Sequence, residues 1–284
     1  MIKRIVLAGG GILLLLILLR FGKTSIPKPE IPVNQASQPS FDVQGFISHE
    51  KQQLNPSQVV YLSKIENEIS RGDVKNQSVK QLSELASFWK DSVHSFVPYA
   101  YYLSEAAKLD NSEKNLTFAA RLIFENMRRE DSAELKSWEA QTSATLFEKA
   151  LQLDPGNDDL KVGLGSCYVY GNGITGDPQQ MMKGIQQLLE VVRKDSNNMR
   201  AQMVLGIGAV ISRQFEKGIE RLNKVVSFDP KNLEAVSWLA DAYAGTGDDK
   251  DAVKWYEKAK LMVNNPEFSK EIDERIKALH DQGQ

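Results

Sequence analysis

The sequence contains one cysteine, Cys167, so no disulfide can form within the chain. Its three histidines, His49, His94 and His280, stand far apart and lack the spacing of metal ligands. Positive and negative side chains nearly balance, with a formal net charge of −2, and this differs from the basic excess of nucleic-acid-binding domains. These shortages exclude an internally disulfide-bonded domain, and we expect neither a metal site nor a nucleic-acid partner.

Groups of residues that would carry catalysis are also scarce. A literal GxGxxG runs from Gly171 to Gly176, but a dinucleotide site needs a β-strand before it, and a helical pattern stands there instead. We interpret these glycines as a turn that ends a helix. Cys167 has no His or Asp at helical spacing, and the acidic pair Asp158-Asp159 falls where a helix begins. We therefore expect no cofactor and no enzymatic activity.

One long apolar run is present, over residues 5–19, with a basic pair before it and Arg20 after it. Its fifteen residues fall short of the roughly 20 that cross a bilayer, but the run extends if Arg20 reaches the headgroups. We expect a short tail at residues 1–4 and a transmembrane signal anchor at residues 5–22. No small-residue cleavage site follows the run, and a cleaved signal peptide on a secreted protein is the alternative.

Residues 23–55 are rich in proline, which removes backbone donors and favours extended conformations. We expect a disordered linker there. Basic residues flank the anchor on both sides, so the charge bias does not decide its orientation. A signal anchor at the N-terminus normally leaves its short end in the cytoplasm. The rest of the chain would then lie outside, which for a bacterial inner membrane is the periplasm.

Residues from 158 onward repeat at a regular interval. Small residues of a second helix, Gly184, Gly218 and Ala252, follow one another at 34 residues. In the first helix of each unit, a leucine comes directly before a small residue. A tyrosine or alanine follows three residues after that small residue. These positions hold Leu164-Gly165 with Tyr168, Leu205-Gly206 with Ala209, and Leu239-Ala240 with Tyr243.

This pattern resembles the tetratricopeptide-repeat (TPR) family, and residues 233–264 match it nearly throughout. The resemblance implies an all-α solenoid of helix–turn–helix units, preceded here by the transmembrane helix and the linker. We expect about five such units over residues 78–264, with the clearest units over 158–264. A capping helix is expected at 56–77, and a C-terminal capping helix with a tail at 265–284.

The resemblance also implies a groove for a partner polypeptide, lined by the exposed face of the first helices. By position in the repeat, that face holds Val162, Val169, Tyr170, Arg200, Met203, Ile207, Val210, Ile211, Glu234, Ser237 and Asp241. The Lys and Asn clamp with which chaperone-tail-binding members hold a peptide carboxylate is absent from the matching positions.

The fourth unit is unusual because its first helix is apolar on nearly every side. Two interpretations of Ile207, Val210 and Ile211 are open. In one, a neighbouring element such as the C-terminal helix or the linker covers them. In the other, they form an apolar groove that takes an amphipathic or extended peptide.

These features predict a membrane-tethered scaffold or assembly factor that binds a partner protein or peptide through its repeats. The membrane contact would be made by residues 5–22. One alternative is a mitochondrial-type outer-membrane receptor whose repeats face the cytosol. The other is a secreted TPR protein, should the signal be cleaved.

The orientation can be tested with an epitope tag placed after residue 284 and an added protease. In a bacterial host, we expect the protease to remove the tag in spheroplasts but not in intact cells. A cytoplasmic marker protein must stay protected in the same spheroplasts. A tag that survives in spheroplasts would contradict the periplasmic orientation.

Overall fold

The structure, a computed structural model, describes residues 41–69, 75–175 and 178–282. The expected tail at 1–4, the anchor at 5–22 and the first part of the expected linker lie outside these residues. The described residues belong to one compact unit, Pro39–Gln284. Within the described ranges, no helix is long and apolar enough to cross a membrane.

The described residues form α-helices joined by short turns. In chain order they are α1 (Val43–Gln52), α2 (Pro56–Ile69), α3 (Lys75–Phe88), α4 (Phe96–Asp110), α5 (Glu113–Met127), α6 (Ala133–Leu153), α7 (Asp158–Thr175), α8 (Pro178–Lys194), α9 (Met199–Ile211), α10 (Phe215–Phe228), α11 (Leu233–Thr246), α12 (Asp249–Met262) and α13 (Pro266–Gln282). A π-helical turn, Trp89–Val93, directly follows α3.

Local sequence explains where several helices begin. A polar side chain just before the helix accepts a hydrogen bond from a backbone N–H of the first turn, which otherwise has no partner. Ser112, Ser132, Asn198, Asn232 and Asp248 do this at the starts of α5, α6, α9, α11 and α12.

Consecutive helices pack in pairs, and the pairs stack into a solenoid. The five pairs are α3 with α4, α5 with α6, α7 with α8, α9 with α10, and α11 with α12, and α13 then packs on α12. At the other end, α1 packs on α4 and α2 packs on α3. The fold is therefore an all-α helical-repeat array of the kind that the repeat pattern predicts.

Small residues allow the two helices of a pair to approach closely. A Cβ added at Gly165 of α7 would lie 2.6 Å from Leu188 of α8, and one added at Gly218 of α10 would lie 2.7 Å from Val210 of α9. Both distances are shorter than van der Waals contact, so a larger residue would force the helices apart. In the last pair, Ala252 fills the position equivalent to Gly218 and is fully buried.

Helix α1 corrects the expected extent of the linker, which was placed over residues 23–55. Val43–Gln52 is helical because Asp42 caps it, accepting a hydrogen bond of 2.9 Å from the backbone N–H of Gly45. Ile47 is 2% exposed and lies in one core cluster with Trp89. The prolines that suggested an extended chain all precede this helix or follow it.

Helix α7 also differs from expectation, because it continues to Thr175 through glycines that were interpreted as its end. One physical reason is packing. A Cβ added at Gly171 would lie 3.0 Å from the Cβ of Ala140 on α6, so glycine there lets α6 and α7 meet closely. The helix gains tertiary contacts that outweigh the low helix propensity of glycine.

The last helix, α13, closes the C-terminal end of the array. Its Ile272 is 2% exposed and packs in a cluster with Ala240, Ala252 and Tyr256. Arg275 of α13 donates a hydrogen bond of 2.7 Å to Asp241 of α11, which also accepts one of 2.5 Å from the Tyr256 hydroxyl. The opposite face of α13 is charged and exposed, as the end of a repeat array requires.

A carboxyl group is buried between α5 and α6. Glu139 is fully buried, and one of its oxygens accepts a hydrogen bond of 2.7 Å from the Asn126 amide. Burial raises the pKa of Glu139 to about 7, although the Asn126 hydrogen bond acts in the opposite direction. The nearby charge of Glu130 adds to the increase, and that of Lys136 reduces it.

We expect Ile272→Ala to destabilise the C-terminal pair by about 2 to 4 kcal/mol, because it leaves a cavity in a packed cluster. Thermal unfolding of the full chain in an uncharged detergent measures the effect. Leu261→Ala is the matched control, because Leu261 is 86% exposed and its removal should change stability by less than about 0.5 kcal/mol. Equal effects of the two variants would show that α13 is not docked on α12.

We expect Glu139→Gln to remove a pH dependence of stability. The pKa of Glu139 is raised on folding, so its stabilising effect is complete below about pH 4.5 and is lost as the pH rises through about 7. Near pH 8 the variant should be more stable than the parent chain by about 3 kcal/mol. Urea unfolding at pH 5 and pH 8 measures this difference, with exposed Glu134→Gln as the control. A variant that retains the parent's pH dependence would contradict the assignment.

Candidate functional site

The first helices of the pairs form the inner side of the array. Helix α5 contacts α7, α7 contacts α9, and α9 contacts α11, and we call these four helices the inner row. The row curves strongly. Just past the end of α5, an Arg128 guanidinium nitrogen lies 2.6 Å from a carboxylate oxygen of Glu234 at the start of α11, three units further along. The inner row therefore closes on itself at this point.

This curvature decides where the expected groove residues lie. Val162, Val169, Ile207 and Val210 are at most 7% exposed and belong to one core cluster. The expectation that they line an open groove is corrected, because the first helices of units three to five pack on one another and Val210 packs against Gly218 of α10. A Cβ added at Gly208 of α9 would lie 3.5 Å from the Val169 methyl groups, which shows how close α7 and α9 come.

The surroundings of Ile207, Val210 and Ile211 on α9 distinguish the two interpretations of this helix. Ile207 and Val210 are buried in the cluster that also holds Val169 of α7 and Val236 of α11. Ile211 is partly exposed and packs against the same cluster. Neighbouring helices do cover these side chains. Val210 faces Gly218 of α10, the cluster includes residues of α7 and α11, and Phe268 of the C-terminal helix packs against it.

The other expected groove residues are more accessible. Tyr170, Met203 and Ser237 are half-buried, and the first two pack against the core cluster. Arg200 is exposed and lies 3.2 Å from Asp159, and Asp159 also lies 4.0 Å from Arg121 of α5. These pairs are more than half exposed and contribute little to stability.

Asp241 and Glu234, also expected in the groove, are each about one quarter exposed and already have partners within the chain. Asp241 accepts the hydrogen bonds from Tyr256 and Arg275 that are described above. Glu234 receives two donors, one per oxygen: the Arg128 guanidinium at 2.6 Å and the Tyr170 hydroxyl at 2.7 Å. Both distances are typical of charge-assisted hydrogen bonds.

Aromatic contacts hold Tyr170 and Arg128 in place. The Tyr170 ring meets the Phe124 ring edge to face, with 5.8 Å between centroids, and the Arg128 guanidinium lies 5.3 Å from the Tyr170 centroid. Burial raises the pKa of the Tyr170 hydroxyl, and the adjacent Glu234 charge raises it further, so the hydroxyl stays protonated and donates. Burial lowers the pKa of Arg128, but Glu234, Tyr170 and Glu125 together outweigh it and the net direction is upward.

Sequence reasoning selected Tyr170 and Glu234 as candidate residues but did not select Arg128 and Phe124, which contact them here. Both belong to the second unit, where the repeat pattern is weak. No local signal in the sequence links Arg128 to Glu234, since 106 residues separate them. Their contact depends on the curvature of the whole inner row.

Helix α5 also has a side that is open to solvent. Its buried face packs through Leu116, Ala120 and Ile123, and the side that carries Arg121 points away from that core. On this open side, Phe118 is 56% exposed and stands among charged residues at helical spacing. The residues of this open side are Lys114, Thr117, Phe118, Arg121, Leu122 and Glu125.

Cys167 lies in the core beside the second pair and is 1% exposed. Burial raises the pKa of its thiol, which therefore stays protonated at neutral pH. A buried, protonated thiol has the character of a small core residue and not that of a nucleophile.

No protein-family model matches the chain, and no curated protein matches it. Several solved structures are similar to it. A structure of MamA residues 41 to the end from Desulfovibrio magneticus RS-1 has 22% identity and a TM-score of 0.47, covering 67% of this chain and 96% of that one. A crystal structure of MamA protein has 18% identity and a TM-score of 0.46, covering 66% and 92%.

A third similar structure is that of YrrB, described as a TPR protein with an unusual peptide-binding site. It has 16% identity and a TM-score of 0.44, covering 71% of this chain and 98% of that one. Identities and scores this low say nothing about what this chain binds.

Proposed function

We propose that this protein is a membrane-tethered scaffold whose helical repeats bind a partner polypeptide. The observation that carries the proposal is the open side of α5, where Phe118 is exposed among Lys114, Arg121 and Glu125. An exposed aromatic side chain surrounded by charges of both signs is a suitable anchor for a polypeptide. The buried faces of α7 and α9 are not available for this role.

The tether in this proposal is the apolar segment at residues 5–22, with the repeats on the periplasmic side of a bacterial inner membrane. Support for the tether comes from the length and apolar character of that segment and from the lack of a cleavage site after it. The linker then ends before Val43, where α1 begins. A mitochondrial-type receptor with cytosolic repeats is the second candidate, and the topology experiment separates the two.

The partner site can be tested by photo-crosslinking in intact cells. We expect p-benzoylphenylalanine in place of Phe118 to give a discrete crosslinked species. The same amino acid in place of Phe228 should give none. Phe228 is a matched control because it is 74% exposed but lies at the end of α10, a second helix of its pair.

A second variant links the crosslink to the charges on α5. Arg121→Glu should reduce the yield of the crosslinked species from position 118 about tenfold or more, because it reverses a charge beside Phe118. The variant should fold normally, since Arg121 is about half exposed. Equal crosslinking from positions 118 and 228, or no effect of Arg121→Glu, would contradict the proposed site.

A further inference from the structure

The contact between Arg128, Tyr170 and Glu234 has the form of a receptor with a bound carboxylate. Each oxygen of the Glu234 carboxylate accepts one hydrogen bond, and the two donors come from different units of the array. The donors are a guanidinium and a protonated phenol, which together recognise both the charge and the two oxygens of a carboxylate.

The donor side of this receptor is assembled without help from Glu234. Phe124 packs edge to face against the Tyr170 ring, and Arg128 lies over that ring. Tyr170 also packs against the central core cluster. The two donors therefore stay in position when the carboxylate leaves, which lowers the cost of binding another one.

Glu234 itself is free to leave. It stands in the first turn of α11, where a carboxylate is stabilised by the helix dipole even without Arg128. Its side chain is 25% exposed and that of Arg128 is 33% exposed, so solvent reaches both sides of the contact. A carboxylate from another molecule can reach the donors by the same route.

We propose that Arg128 and Tyr170 form a carboxylate-binding site that Glu234 occupies within the chain, and that an acidic segment of a partner polypeptide displaces Glu234. The exchange would free the end of α5 from the start of α11 and so open the inner row. This inference rests on the proposed function, because it assumes a polypeptide partner. It adds the chemistry of that partner, which carries Asp or Glu at the point of contact.

The choice of an acidic partner follows from the charges at the site. With Glu234 displaced, the acidic neighbour that Arg128 keeps among the described residues is Glu125, at 3.8 Å and with poorer geometry. A basic or apolar segment would leave the Arg128 guanidinium, whose side chain is 33% exposed, without a strong partner, which is unfavourable.

The test uses the full chain in an uncharged detergent and a fluorescein-labelled hexaglutamate peptide, with a hexaglutamine peptide for comparison. We expect Glu234→Gln to bind hexaglutamate about tenfold more tightly than the parent chain, because the internal competitor is weakened. Glu216→Gln is the control, since it removes the same charge from an exposed position on α10. Hexaglutamine should bind neither variant measurably.

Two variants remove the donors. Arg128→Gln should abolish the binding of hexaglutamate, and Tyr170→Phe, which keeps the ring but lacks the hydroxyl, should weaken it several-fold. Circular dichroism checks folding, and should Arg128→Gln fail to fold, Tyr170→Phe still decides. The proposal is overturned if Glu234→Gln gains no more affinity than Glu216→Gln, if a folded Arg128→Gln variant still binds hexaglutamate, or if Tyr170→Phe keeps the affinity of the parent chain.

The opening of the inner row is measured separately, by the distance between spin labels attached to the variants Arg129→Cys and Lys231→Cys. Both positions are exposed, and the buried Cys167 is shielded from labelling. Saturating hexaglutamate should lengthen that distance, and Glu234→Gln alone should do so in part. An unchanged distance overturns the opening. The crosslink at position 118 reports on the proposed function independently, so its presence together with a negative peptide result would reject only this inference.

Discussion

The close approach of the two helices in each pair is the constraint on which the rest of the structure depends. Where Gly165 faces Leu188, or Gly218 faces Val210, a single added carbon would overlap with the opposite helix. The absence of side chains at these points sets the distance within each pair. Large neighbours such as Leu188 then fill the holes between pairs and set how one pair stacks on the next.

The curvature of the inner row also depends on how closely its helices pack. Gly208 on α9 lies within van der Waals reach of Val169 of α7, and the first helices of successive units contact one another from α5 to α11. Faces that would be open in a flatter array are consequently buried. The open surface shifts to α5 at one end, and the contact between Arg128 and Glu234 forms where the ends of the curved row meet.

Much of the regular architecture could be predicted from the sequence, since it depends on local patterns. Leu205-Gly206 and Leu239-Ala240 mark their helices because leucine must be buried and the next residue must be small. Curvature could not be predicted in this way. It results from many small packing displacements that add up over several units, and so Ile207 could be assigned to a first helix but not to a groove or a core.

The start of the folded region was misplaced for a related reason. Proline content suggested an extended chain up to residue 55, whereas helix α1 depends on a cap at Asp42 and on the burial of Ile47 against distant residues. Neither feature belongs to a repeat. The expected anchor at residues 5–22 was proposed on different grounds, because an apolar run is visible in the sequence itself and depends on no distant contact.

The contact between the second and fifth units has a consequence for how this array responds to force and heat. In an open solenoid each unit is coupled only to its neighbours, so the stability is a sum of local terms and the ends fray independently. A bond from Arg128 to Glu234 turns part of this linear chain of couplings into a loop. The four units within the loop are then coupled by this contact as well as by the contacts between neighbours. The second and fifth units are therefore coupled directly, and not only through the units between them.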